Sequence, residues 1–387
     1  MPIAKDIFQT LRIVPAHFER VAPGNPDPLF PDLDDRGYAA PEHGPIVGLM
    51  VEPASGDSSN DVYVVLERQD MELGAQLFVT SSDPSVLRII HPAAGNPLIN
   101  TKRAAIGIRG IAGGSPAART AQVQVHLGSV AGPVIAEMTA WVFRPLRVRI
   151  TPHLVTIAAA GVPGIPSVAN IGNIMPLVRA IWKPCGIEMT VQPTQAHNEV
   201  FATAGVVSMA SWAEINTLVA HNVPNTINVY MVNRIGNGGT LGLGLSRASV
   251  QPGGIAAGVN APAIILADTT AFGSVRDAMW WANDLAHEAG HFFQLWHPDN
   301  LQPPDEREDT WSRRMLMHNF NKMRGHNPWP DTMSGGKHFR HRPRLNDVGY
   351  GNLRRGCLIT MKDLKQIKTD GECSTARNTI ASAAGPY

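Results

Sequence analysis

Asn283-Asp-Leu-Ala-His-Glu-Ala-Gly-His-Phe-Phe-Gln-Leu-Trp-His297 is the stretch around which the chain is organised. It holds His287, Glu288 and His291 in the order H-E-x-x-H, with His297 six residues further on. On a helix, residues four apart stand one above the other, so His287 and His291 turn their rings toward one point. Glu288 is rotated by about a quarter turn, close to that point without having to share it. Two imidazoles with a carboxylate beside them are the donor set of a zinc site with a general base. His297 supplies a third ligand if the helix stops before it and the chain turns back, which leaves a fourth position open for water. Ala278, Trp281, Ala282, Leu285, Ala289, Phe292, Phe293 and Trp296 recur at helical spacing and form an apolar stripe largely away from the histidines. The helix is therefore expected to be buried on one side and to face a cleft with the other.

Around this helix, 387 residues are more than one typical core requires, so two domains are the expectation. With 44% hydrophobic residues, 17% charged residues and a formal net charge of +1, the composition is that of a globular protein. No basic stripe with interleaved aromatics suggests a nucleic-acid partner, and no apolar run reaches membrane-spanning length. The first residues lack a long apolar segment with a small-residue cleavage site. Leaderless secretion is the expectation, ahead of a cytoplasmic location. Cys185, Cys357 and Cys373 are the only cysteines. Three sparse cysteines argue against a disulfide scaffold, so reduced thiols are expected, with a Cys357–Cys373 pair as the alternative.

Residues 1–42 combine a short helical pattern with Pro-, Gly- and Asp-rich sequence and read as an N-terminal arm. From about Gly44 the texture becomes short β-prone runs: Ile46–Val51, Val62–Leu66, Gln76–Thr80, Leu87–Ile90, Ala104–Arg109, Ala121–Leu127 and Val134–Phe143. Val123, Val125 and Leu127 alternate with polar residues at the period of a half-buried strand. Such runs with turns between them predict an antiparallel sandwich over residues 43–147. Beyond it, residues 148–387 read as a mixed α/β domain. Helices are expected from Val168 to Ile181, kinked or begun at Pro176, and over Val206–His221. Strands are expected at Cys185–Val191, Ile227–Val232 and Ala263–Ala267. The glycine-rich run Gly236–Gly244 lacks a phosphate-binding pattern and reads as a flexible surface loop.

The spacing of His287, Glu288, His291 and His297 resembles that of the metzincins, zinc peptidases marked by H-E-x-x-H-x-x-G-x-x-H and a downstream Met-turn. The resemblance spans about Thr151 to the C-terminus. It implies one catalytic zinc, with His287, His291 and His297 as ligands and Glu288 as catalytic base. The Met-turn falls on Met317 in Arg314-Met-Leu-Met-His-Asn319, with Met315 and Met333 as alternatives. The family glycine is Gln294 here, a residue that must adopt a positive φ if His297 is to reach the metal. Asn319 stands where some members carry a tyrosine ligand, so that group is not carried over. The closing helix of the clan corresponds to Thr360–Lys368. Phe78–Arg88, with its Ser-Asp-Pro turn, resembles a segment of bacterial immunoglobulin-like domains, implying an Ig-like spacer or binding module.

The function expected is a zinc-dependent endopeptidase acting on protein or peptide substrates, as a monomer. The alternatives are a zinc-stabilised adhesin with a non-catalytic site and a zinc hydrolase of non-peptide amides such as cell-wall links. Asp305-Glu-Arg-Glu-Asp309 is a candidate Ca2+ ligand cluster or a solvated acidic run. Asp284, one turn before Glu288, orients a ligand or faces solvent. His318, His326, His338 and His341 are read as shaping the cleft.

Overall fold

The computed structural model describes residues 11–15, 46–51, 61–68, 76–100, 103–236, 240–252, 254, 256–268, 278–295 and 372–382. It is a multi-sheet, strand-rich protein of mixed α/β character. The described residues fall into two compact units. The first takes those of Met1–Leu146, Lys183–Ile187 and Leu358–Asn378, and the second those of Arg147–Trp182, Glu188–Cys357 and Thr379–Tyr387. No described helix is long and apolar enough to cross a membrane.

The first unit contains two four-stranded sheets. One has the order β1-β3-β6-β5, from Leu11–Pro15, Val62–Arg68, Arg103–Gly110 and Leu87–His91. The other has the order β2-β8-β7-β4, from Ile46–Met50, Val134–Phe143, Arg119–Leu127 and Leu77–Ser81. Period-2 patterning explains the pairing. In β7, Ala121, Val123 and Val125 are buried while Gln122 and Gln124 sit on the other face. They share one hydrophobic cluster with Val64 and Leu66 of β3, Ile106 and Ile108 of β6, and Leu77 of β4. Each such fully buried aliphatic side chain contributes about 1.5–3 kcal/mol. All seven expected strands are present, and β2 runs parallel to β8 where an antiparallel arrangement was expected. A further difference lies at Leu11–Pro15. The arm expected over residues 1–42, with its helical pattern, here contributes strand β1, paired antiparallel with β3. Pairing to a sheet edge outweighs weak local helix preference in a segment this short.

The second unit is built on a mixed sheet of order β10-β9-β14-β17-β16, with β11 and β12 also paired to β9. Its strands are β9 (Leu146–Ala159), β10 (Val162–Pro166), β11 (Ile187–Val191), β12 (Gln195–Val200), β14 (Ile227–Val232), β16 (Gly242–Leu245) and β17 (Ala263–Ala267). A small pair, β13 (Val206–Val207) and β15 (Arg234–Ile235), stands apart. β12, β9, β14 and β17 are mutually parallel, and β16 returns antiparallel to β17. β14 and β17 are buried at every position, as parallel strands covered on both faces must be.

Helix α1 (Ile171–Trp182) starts at Asn170, whose side chain accepts from the Asn173 N–H at 3.3 Å. It continues through Pro176 instead of starting there. Ile174, Met175, Val178, Ile181 and Trp182 are all buried, so packing holds the helix despite the missing donor. The helix expected over Val206–His221 is shorter, running as α2 over Ala213–Val219. The Glu214 carboxylate takes the backbone N–H groups of Ala202 and Ser208, fixing the entering chain in a non-helical path. Arg247–Val250 forms a single turn, α3, and Ala278–Phe292 forms α4.

Thr360–Lys368 lies outside the described residues, and the helix observed near the C-terminus is α5, Glu372–Ser382. Within the first unit, its Arg377 is fully buried. Its Nε and terminal nitrogens donate to the carbonyls of Pro116, Cys185, Gly186, Arg144 and Gly114 at 2.6–3.4 Å. The guanidinium carbon also stands 4.3 Å above the Phe143 ring. Gly186 has φ +64°, and a Cβ there would lie 2.3 Å from that of Phe143. No other residue fits that position. Cys185 and Cys373 are buried thiols, and Cys357 lies outside the described residues.

Candidate metal centre

Helix α4 packs against α1 and against strands β16 and β17. Trp281, Ala282, Leu285, Ala289, Phe292 and Phe293 are buried. Phe293 meets Trp182 edge to face at 5.0 Å, and the Trp281 indole N–H donates to the Ala267 carbonyl at 3.2 Å. Asp284, His287, Glu288 and His291 are half-buried. Burial of the apolar stripe thus decides which way the polar residues turn.

The His287 and His291 rings lie 5.0 Å apart between centroids and nearly perpendicular, at 86°. Burial, then the neighbouring His287, push the His291 pKa down to about 4, so at neutral pH its ring carries no charge. His291 Nδ1 sits 3.0 Å from the Leu295 carbonyl oxygen. A carbonyl only accepts, so Nδ1 carries the proton and Nε2 presents its lone pair. Metal-bound histidines are held in this way, one nitrogen donating to a carbonyl and the other facing the ion.

The Leu295 carbonyl reaches His291 because of how the helix ends. Gln294 has φ +61°, the left-handed region. Around it, Leu295 N–H donates to Gly290 O at 2.9 Å and Gln294 N–H to His291 O at 3.1 Å. These are the 6→1 and 5→2 bonds of a Schellman motif, with Gln294 in the place glycine usually takes. A left-handed non-glycine residue costs about 1–2 kcal/mol. Leu295, buried at 4% exposure, anchors the turn.

Glu288 lies against β16. A Cβ on Gly242 would stand 2.8 Å from Glu288 Oε1, and one on Gly244 would stand 2.5 Å from Oε2. Residues two apart on a strand share a face, so the two glycines together make the space the carboxylate occupies. This corrects the expected surface loop over Gly236–Gly244. Its last three residues, Gly242–Gly244, fall in the edge strand β16, and glycine serves there for close approach rather than flexibility.

His287, Glu288 and His291 are therefore on one half-buried side of one helix. His297, Met317 and its alternatives Met315 and Met333 lie outside the described residues, as do the Asp305–Asp309 run and His318, His326, His338 and His341. Sequence reasoning missed Leu295 as the partner of His291, and Gly242 and Gly244 as the wall beside Glu288. The signal for the glycines was their i, i+2 spacing next to a strand. For the Leu295 carbonyl there was none, since any residue supplies that atom.

No protein-family model matches the chain, and no curated protein matches it. Among solved structures, it matches a 2,6-sialyltransferase of Vibrionaceae Photobacterium sp. JT-ISH-224, in complex with CMP and lactose, at 10% identity and a TM-score of 0.16. The match covers 50% of this chain and 36% of that one. At that TM-score the likeness carries no weight for fold or activity.

Proposed function

We propose that the chain is a zinc-dependent endopeptidase of metzincin type, with residues 148–387 as its catalytic domain and an Ig-like sandwich over residues 43–147 ahead of it. The observation that supports this most is the left-handed turn at Gln294. It ends the helix directly after the histidine pair, ties His291 through Nδ1 to the Leu295 carbonyl, and turns the chain three residues before His297. A helix serving only as core has no use for a strained terminus that orients a histidine.

The donor set fits zinc: a neutral imidazole protonated at Nδ1, a second imidazole one turn earlier, and a carboxylate held to one side. His287, His291 and His297 would hold the ion, with Met317 as an apolar floor beneath them. An ion held by these residues would supply Lewis-acid activation of a water and of the scissile carbonyl. Glu288 accepts the proton released at attack and delivers it to the leaving amine. The glycine wall fixes the carboxylate's position. β16 ends the sheet, and among the described residues no strand pairs with its outer edge. An extended peptide added along that edge would run past Glu288, a geometry that favours protein substrates.

Glu288→Gln tests this. The variant keeps the zinc bound by the histidines and loses about 10²–10⁴-fold in cleavage of denatured casein. Undiminished cleavage by Glu288→Gln would sink the mechanism. Release of peptidoglycan fragments with casein left intact would move the activity to a non-peptide amide.

A further inference from the structure

Within the second unit, away from α4 in sequence, a histidine cluster gathers that the proposed peptidase chemistry does not use. His197 and Glu199 lie two apart on β12, whose alternate residues are half-buried and exposed, so both occupy the half-buried face. His221 follows α2, its backbone N–H bonded to Leu218 O at 3.0 Å. Its Nε2 is 2.8 Å from Glu199 Oε1, and its ring stacks on His197 at 4.4 Å. The ligand atoms of His197, Glu199 and His221 all lie within 4.8 Å of one another. Around a tetrahedral ion with bonds of about 2.0–2.2 Å, ligand atoms stand roughly 3.5 Å apart. Small side-chain rotations close that difference.

The cluster has a built second layer. Asn228 Nδ2 donates to the Val223 and Thr226 carbonyls at 3.0 and 3.3 Å, and its Oδ1 accepts from Val223 N–H at 2.8 Å. Those backbone bonds fix the amide, so Oδ1 is the atom facing His153 Nε2 at 2.8 Å. His153 Nε2 therefore donates, and its Nδ1 accepts from His197 Nε2 at 2.8 Å. That assignment leaves His197 Nδ1 with the lone pair. His153 is fully buried and stacked 4.3 Å from Tyr230, and burial holds its pKa down to about 4, so it stays neutral. A ligand histidine whose other nitrogen is tethered through a buried relay to fixed backbone is the arrangement that tunes metal sites.

We propose that His197, Glu199 and His221 form a second binding site for a divalent transition-metal ion, zinc by ligand type, tying β12 to the end of α2. Two imidazoles and one carboxylate suit zinc better than calcium or magnesium, which prefer oxygen ligands. The His221 side chain, 40% exposed, gives the ion its route in and leaves a position for water.

The test uses the full chain carrying His287→Ala and His291→Ala, so that its outcome is independent of the proposed peptidase site. Titrated calorimetrically with Zn2+, this double variant binds one equivalent, and adding His221→Ala weakens that binding by 100-fold or more. Glu199→Gln, which keeps the shape, weakens it at least 10-fold. With Co2+ as probe, a visible d–d absorption appears in the double variant and vanishes with His221→Ala. If the double variant fails to fold by circular dichroism, the wild-type chain is used. It then binds one equivalent fewer when His221→Ala is introduced. No zinc uptake by the folded double variant, or uptake indifferent to His221→Ala and Glu199→Gln, overturns the proposal and leaves a surface ion pair only.

Discussion

Replacing Gln294 by glycine perturbs the turn on which the His291 orientation depends, without altering a ligand. At φ +61° glutamine sits where a Cβ crowds the following carbonyl, at a cost of about 1–2 kcal/mol that glycine does not incur. Glycine in turn loses more freedom on folding, about 0.5–1 kcal/mol. The difference is a net stabilisation of roughly 0.5–1 kcal/mol, a two- to five-fold shift toward the folded state. Urea denaturation of the zinc-free protein reads this as a higher midpoint at unchanged slope. Because the turn's hydrogen bonds are all backbone, zinc content and cleavage rate stay at wild-type levels. Gln294→Val is the matched opposite. A β-branched residue is strongly disfavoured at positive φ, so the turn opens, the Leu295 carbonyl leaves His291, and zinc affinity falls by about 10–100-fold, the usual loss when an outer partner is removed. Loss of stability or of zinc in Gln294→Gly would refute the assignment of Gln294 as a strained but glycine-compatible turn.

Gly244→Ala places a methyl group 2.5 Å from Glu288 Oε2 and 3.2 Å from the Glu288 carbonyl oxygen. Zinc content is retained while kcat for casein falls by about 10²-fold or more, since a displacement near 1 Å at a catalytic group has that effect. Arg377→Met removes the donor shared by five backbone carbonyls, those of Cys185 and Gly186 buried, and equilibrium unfolding shows a loss of about 3 kcal/mol or more. His153 and His291 both have pKa values held near 4, against about 6.5 for a free imidazole. Between those values the unfolded chain binds protons that the folded chain does not. Stability of the chelated protein is therefore full above about pH 6.5 and falls as pH drops toward 4, by roughly 3 kcal/mol for each histidine. Urea midpoints at pH 7.5 and pH 5 read that change, and a midpoint indifferent to pH across the window would contradict it.

The legible parts of the sequence were those where burial writes a period. The seven strands between Ile46 and Phe143, Ile227–Val232, Ala263–Ala267 and the stripe of α4 all carry apolar residues at a spacing that only one element type accommodates. What stayed hidden depends on partners distant in the chain. β12 has no apolar alternation, because its inward residues are His197 and Glu199, so polarity masked the strand. β16 is short and glycine-rich, and glycine permitting close approach to Glu288 reads the same as glycine in a loop. Leu11–Pro15 becomes a strand only because β3 offers it an edge. At the candidate metal centre, the histidine pair on α4 was readable from i, i+4 geometry, whereas the Leu295 carbonyl that orients His291 is a backbone atom with no signature. Gln294 was legible as the point where the chain must turn left-handed, since the resemblance put glycine there.

That metal held on α4 drives peptide hydrolysis is the proposal on which the other activity predictions rest. Its most direct test is casein cleavage by the full chain before and after removal of metal with 1,10-phenanthroline, followed by re-addition of zinc. Cleavage is expected to disappear with the metal and return with zinc in the wild type, and not to return in His291→Ala. Cleavage that persists at full rate in protein shown to be free of zinc would contradict it.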